Sequence, residues 1–282
     1  MTFVLNKLIA LILVPLYFSP MLPFLHIAKL FNLPQEVVSL SENGIGSEED
    51  PVYLTAHRGV QSVAPQNTLP AYEKAVELGL YSAECDIHLT KDDVWVLNHN
   101  DTTNAMFCEQ AAIKDCTLEE LKTFSYKTGR NFWAYEDLRI PTLGEYLDVF
   151  VGSATRPQIE IKAENFDKLY LIIEELEARN MLEQAIIISF DYAQLQYIDA
   201  MGKGIELWYL CDEITPDVIA QAQALTSECW LSPSYEKNTA ETIQLAIDAG
   251  IGCSFWTVNA LDDAKMLYDM GIRYIETDVF CN

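Results

Sequence analysis

Positive charge is scarce in this chain. Its 282 residues carry 18 Lys and Arg against 42 Asp and Glu, a formal net charge of -24. Such a surface repels a polyphosphate backbone, which excludes nucleic acid as a partner. A small anionic ligand would need a local positive site, made by a bound cation or by a few Arg and Lys. Paired cysteine motifs are also lacking. The seven cysteines (85, 108, 116, 211, 229, 253 and 281) form no CxxC, so a zinc ribbon or thioredoxin-like site is excluded. Their odd number rules out a complete disulfide framework within one chain. Cys211, Cys229 and Cys253 lie in apolar runs and read as small hydrophobes. Cys108 and Cys116 share a loop and could pair in an oxidising compartment. No glycine-rich phosphate loop is visible, which removes support for a doubly wound nucleotide-binding sheet.

What is present is apolar residue in abundance, half of the chain. That is ample for a large core, and the length suits one α/β barrel. Residues 1–30 stand apart. Lys7 precedes an apolar run from Leu8 to Ala28, long enough to span a bilayer despite Pro15, Pro20 and Pro23. The segment reads as a membrane anchor or export signal, without a good cleavage site. A buried helix of a soluble protein is the alternative. Residues 31–51, ending in SLSENGIGSEEDP, read as a polar linker. Lys7 on the short side and acids on the long side predict that the bulk of the chain lies outside the cytoplasm, a cytoplasmic location being the alternative.

From residue 52 to 282, short apolar runs alternate with segments of helical period. The runs begin near residues 52, 81, 158, 185, 205, 229, 253 and 273, and helical stretches at 67–80, 166–179, 191–201, 215–225, 238–249 and 260–270 separate them. Strand–helix alternation predicts a parallel sheet covered by helices, and eight strands close a (β/α)8 TIM barrel. VWVLNH (94–99) follows its predecessor too closely for a parallel crossover and must turn back as a hairpin. A turn at Asp92-Asp93 sets Asp86 opposite His99, whereas a one-residue slip sets Cys85 there. Residues 101–140 form a small insertion after the hairpin.

Catalytic residues of such a barrel gather at the C-terminal ends of its strands. His57 and Arg58 end the first. Glu84 and Asp86 alternate along the second, with His99 on the hairpin. Glu160 and Lys162 lie in QIEIK, Trp256 and Asn259 near the end of the seventh strand, and Asp278 ends the eighth. Three carboxylates suit one hard cation, Mg²⁺ or Ca²⁺. Two histidines suit general acid–base work, and Arg58 with Lys162 suits a phosphate.

AHRGVQSVAPQNTLPAYEKAVELGL, ECDIHLTKDDVWVLNH, IEIK, WTVN and IETD occur in that order. The set resembles the glycerophosphodiester phosphodiesterases, over roughly residues 52–279. The resemblance implies metal-dependent hydrolysis of a glycerophosphodiester to glycerol 3-phosphate and an alcohol. It implies Glu84, Asp86 and Glu160 as metal ligands, His57 and His99 as the acid–base pair, and Arg58, Lys162 and Trp256 as substrate-binding residues, Arg58 contacting the phosphate, Lys162 assisting nearby and Trp256 packing against the substrate. A lysophospholipase D acting on lysolipids, held to the membrane by the N-terminal segment, and an inactive barrel serving as a binding protein stay open. Three departures stand out. The family's PENT is Pro65-Gln66-Asn67-Thr68, its His-Asp is His99-Asn100, and an Arg usual soon after is missing. Asp93 replaces a turn glycine. The insertion's aromatics (Phe107, Phe124, Tyr126, Phe132, Trp133 and Tyr135) are expected either to line an alcohol pocket or to form a small core of their own.

Overall fold

The computed structural model describes residues 38–281. The anchor or signal expected at 1–30 lies outside the described residues, among which no helix is long and apolar enough to cross a membrane. Residues 38–132 and 137–281 belong to one compact unit; residues 133–136 fall outside it.

All eight expected strands form: β2 (Tyr53–Ala56), β3 (Ser82–Leu89), β5 (Arg156–Ile161), β6 (Ile186–Ser189), β7 (Glu206–Cys211), β8 (Cys229–Pro233), β9 (Ser254–Phe255) and β10 (Tyr274–Thr277). The short pieces β1 (Val38–Ser39), β4 (Trp95–Leu97) and β11 (Phe280–Cys281) complete the numbering. Parallel pairing runs β8-β7-β6-β5-β3-β2-β10-β9. Parallel bridges Leu231–Cys253 and Ser234–Trp256 then join β8 to β9 and close the ring. This is the TIM barrel that strand–helix alternation predicts.

Helices α1 (Leu69–Glu77), α3 (Leu143–Asp148), α4 (Tyr170–Ala178), α5 (Tyr192–Ala200), α6 (Pro216–Gln223), α7 (Ala240–Asp248) and α8 (Leu261–Asp269) cover the outside; α2 (Leu118–Lys122) belongs to the insertion. Each buries one face. On α1 that face is Ala71, Tyr72 and Ala75. Threonines start several of them: Thr142 and Glu145 form a reciprocal capping box, and Thr215 caps the Pro216 start of α6.

The large core lies between strands and helices. A separate apolar cluster, Ile186, Ile188, Trp208 and Leu210, fills one side of the ring. Trp208 and Trp230 stack with centroids 5.5 Å apart, and Tyr274 meets Trp230 edge-on at 4.6 Å. Gly252 is required here, since a Cβ at that position would come within 2.3 Å of the Trp230 ring. The other side of the ring is polar. Thr55, Ser82, Gln158 and Glu276 are linked by hydrogen bonds of 2.6 to 3.3 Å.

Two expectations are corrected. The hairpin pairs Ile87 with Leu97, His88 with Val96 and Leu89 with Trp95, so Asp86 lies opposite Asn98 and not His99. The turn has three residues, Lys91 to Asp93, because Thr90 pairs with Val94 through the backbone (2.9 Å) and through its hydroxyl (2.9 Å). Asp93 takes the left-handed conformation (φ 61°) that ends such a turn. Second, much of the stretch expected as a linker is docked. β1 pairs with β11, Leu40 and Ile45 are buried, and Asp50 binds Arg273 at 2.7 Å. Of the two expectations for the insertion, a small core of its own forms, made of Val96, Met106, Phe107, Ile113, Leu121 and Ile140, with Phe124 and Tyr126 packed against it. Phe107 and Tyr126 sit 4.2 Å apart within it. All seven cysteines are free thiols, Cys108 and Cys116 included.

Candidate active site

Period-two alternation on β3 turns Glu84 and Asp86 to the same side of the sheet. Glu160 comes beside Asp86 because β3 and β5 pair at those residues. One ligand atom from each of Glu84, Asp86 and Glu160 lies within 4.8 Å of the others, and all three residues are buried. Glu84 accepts the backbone N–H of Arg58 at 2.8 Å through Oε2. Its other oxygen, Oε1, is buried and has no hydrogen-bond partner among the described residues. Buried polar atoms are normally satisfied, so an orphaned carboxylate oxygen within a three-carboxylate cluster fits a divalent cation.

The charges agree. Burial, together with Asp86 and Glu276, pushes Glu84 well above the ordinary carboxylate range. Burial and Asp86 push Glu160 up to about 8, Lys162 only partly offsetting them. For Asp86 burial acts upward too, but Lys162, Arg58, His99 and Asn67 outweigh it and bring it down to about 2. The charge of Asp86 is thus favoured by neighbouring cations, while burial and Asp86 disfavour charge on Glu84 and Glu160, a cost that a bound cation would relieve.

Asp86 is also clamped from below. Asn67 donates to its Oδ2 at 2.7 Å and accepts its backbone N–H at 3.1 Å, while Tyr72 O–H donates to Asn67 at 2.9 Å. Sequence reasoning assigned Asn67 no role. Such outer partners tune metal affinity by about 10–100-fold. We therefore expect Asn67→Ala to weaken cation binding by roughly tenfold or more, with Asp86 and the fold in place, as calorimetric titration with Mg²⁺ will show.

His57 follows β2 and is half-buried. Its Nδ1 pairs with Asp278 Oδ1 at 2.8 Å, and Asp278 is itself held by Gln61 (2.6 Å) and Asn259 (2.7 Å). Burial would raise the pKa of Asp278, but His57, Asn259 and Arg58 outweigh it and lower it. His99 reaches the cluster although the hairpin slips, because β4 ends at Leu97 and the chain bends away. Its Nδ1 pairs with Asn100 Oδ1 at 2.8 Å, and its carbonyl accepts from His88 Nε2 at 3.2 Å. Burial lowers the pKa of His99, with Asp86 opposing.

Arg58 and Lys162 both arrive, and both already lie against Asp86: Arg58 Nε at 3.4 Å, Lys162 Nζ at 3.3 Å and 2.7 Å from Glu160. Burial works against the charge of Lys162, but the two acids outweigh it and raise its pKa. Arg58 has φ 57° and is followed by Gly59, where a Cβ would meet that of Ala71 at 2.6 Å. Gln66, at the family's glutamate position, accepts from Arg58 Nη1 at 2.8 Å, so the neutral side chain keeps a contact to this arginine. Trp256 donates its indole N–H to the Ser232 carbonyl at 2.8 Å and meets Phe190 edge-on at 5.7 Å.

The structure adds one acid that sequence reasoning passed over. Glu276, on β10, is buried 3.9 Å from His57 Nε2.

The profile of the glycerophosphoryl diester phosphodiesterase family matches residues 57–280, most of the chain. The chain belongs to this family. A glycerophosphodiester phosphodiesterase of Caldanaerobacter subterraneus subsp. tengcongensis is 33% identical over 235 residues, 80% of this chain and 93% of that protein. Among solved structures, a glycerophosphodiester phosphodiesterase of Thermotoga maritima is 26% identical with a TM-score of 0.64, covering 80% of this chain and 94% of that one. An Oleispira antarctica phosphodiesterase, in complex with the product sn-glycerol-3-phosphate, gives a TM-score of 0.73 at 23% identity, with 86% and 96% covered. Family membership makes this chain a glycerophosphodiester phosphodiesterase on a TIM barrel.

Proposed function

We propose that the protein cleaves glycerophosphodiesters to glycerol 3-phosphate and an alcohol, with one divalent cation, Mg²⁺ or Ca²⁺, held by Glu84, Asp86 and Glu160. The orphaned, buried Glu84 Oε1 within the carboxylate cluster carries this reading. The cation, when bound, neutralises charge on the phosphate. Arg58 adds a fixed guanidinium beside it, and the half-buried Trp256 borders the substrate.

The histidines supply the proton traffic. In each, Nδ1 is held by a neighbour, Asp278 or Asn100, which leaves Nε2 to act. Asp278 fixes the orientation of the ring of His57, which acts as the base. His57 takes the proton of the free glycerol hydroxyl as that oxygen attacks phosphorus. His99, made more acidic by burial, protonates the departing alcohol oxygen. Water then opens the cyclic phosphate with the two roles exchanged. Glycerophosphocholine and its analogue lacking the glycerol 2-hydroxyl test this route by phosphorus NMR. The first should yield glycerol 3-phosphate through a cyclic phosphate, and the analogue should stay intact. Cleavage of the analogue would mean direct attack by water.

Asn100 occupies the place of a family aspartate. A carboxylate there would stabilise the imidazolium of His99. Asn100→Asp is therefore expected to move the His99 limb of the pH–rate profile to higher pH, by roughly one unit for about 1.4 kcal/mol of added interaction. Profiles of kcat measured on both proteins will show the shift.

A further inference from the structure

We propose that His57, Glu84 and Glu276 form a second cation position, selective for a transition metal such as Zn²⁺, whose occupation switches the enzyme off. One ligand atom of each lies within 4.8 Å of the others. His57 Nε2 and Glu276 Oε1 are 3.9 Å apart. That is too long for a hydrogen bond but suits two atoms sharing one ion at bonds of about 2.0–2.2 Å.

Each side chain is prepared for this. Asp278 holds Nδ1 of His57 at 2.8 Å, so the Nε2 lone pair is presented, in the carboxylate–histidine arrangement usual behind metal ligands. Glu276 Oε2 is engaged by Gln158 at 3.3 Å, which leaves Oε1 facing His57. Glu84 supplies the buried oxygen that has no hydrogen-bond partner among the described residues. A site of one imidazole and two carboxylates favours zinc over Mg²⁺ or Ca²⁺, whereas the all-oxygen set of Glu84, Asp86 and Glu160 favours the hard ions. The two positions share Glu84. Occupation of the second engages His57 Nε2, the atom that the function proposed above requires for proton transfer. The inhibition rests on that reading; the zinc binding does not.

The test uses the full chain saturated with Mg²⁺ and titrated with Zn²⁺. Bound metal is counted by equilibrium dialysis with elemental analysis, and glycerol 3-phosphate release is followed in parallel. One zinc should bind per chain with magnesium retained, and the rate should fall over the same titration. Glu276→Gln should bind zinc at least about tenfold more weakly. Measured against its own zinc-free rate, it should resist zinc concentrations that silence the wild type. Loss of magnesium as zinc enters, with the variant equally sensitive, would place zinc at the first position and overturn the proposal. So would the absence of bound zinc in the wild type, a result that stands even if the variant fails to fold. Zinc bound at one per chain in a protein that shows no hydrolysis with any ion would instead count against the proposed function and the switch, and leave the second position standing.

Discussion

Replacing Glu84 with glutamine is expected to silence the enzyme while leaving the metal-free protein at least as stable. The catalytic loss should be about 10³-fold or more in kcat/KM, roughly 4 kcal/mol of transition-state stabilisation. Glutamine keeps the shape, and its carbonyl oxygen can still accept the Arg58 N–H, but it removes the charge that grips a cation. The stability effect has the opposite sign. Burial and the neighbouring Asp86 raise the pKa of Glu84 well above normal, so the fold disfavours its ionised form. A carboxyl with a raised folded pKa destabilises the native state increasingly as pH rises from its unfolded value toward its folded one. Glutamine removes that penalty. In thermal melts with EDTA, the variant should match or exceed the wild type, with the gap wider at pH 8 than at pH 5. A variant that unfolds would make Glu84 a structural residue.

His57→Asn and His99→Asn should each lower kcat by about 10²–10⁴-fold, the usual worth of a positioned acid or base. The two losses differ in kind. If His99 protonates the leaving alcohol, a p-nitrophenyl ester of glycerol phosphate, whose leaving group needs no proton, should recover most of the rate in His99→Asn. His57→Asn should stay slow on both substrates, because the glycerol hydroxyl still has to lose its proton. Equal losses on both substrates for both variants would reject the assignment. The double variant should be little worse than the poorer single one, as expected of groups that act as a unit.

Much of this was legible in the sequence because barrel strands advertise themselves. AIIISF and IELWYL are apolar runs of strand length set between helical periods, and they became β6 and β7. Glu84 and Asp86 stood out as acids inside such a run. The same pattern holds for Glu276, an acid inside RYIETD two residues before Asp278. Nothing in its spacing shows that it meets His57; only the closed ring brings β10 beside β2. The hairpin register failed for a local reason. A two-residue turn at Asp92-Asp93 and a three-residue turn ending in a left-handed Asp93 differ by one position, and the Thr90 hydroxyl that selects the longer turn leaves no periodic trace. His99 reached the site anyway, because the strand stopped before it. Asn67 was hidden inside PQNT, where its grip on Asp86 joins residues 19 apart in sequence. Phe107, Phe124 and Tyr126 showed no partner in the sequence, and their packing with Ile113 and Leu121 follows from tertiary structure alone.

The most direct measurement is release of glycerol 3-phosphate from glycerophosphocholine by the full chain, stripped with EDTA and then given Mg²⁺ or Ca²⁺, beside Glu84→Gln. The account predicts no release after stripping, recovery with at least one of the two ions, and none from the variant under any condition. Release that persists in EDTA, or from Glu84→Gln, would contradict a carboxylate-held cation as the centre of the chemistry. A wild-type chain inert toward this substrate and other glycerophosphodiesters with either ion would contradict the enzyme itself and leave the barrel as a binding protein.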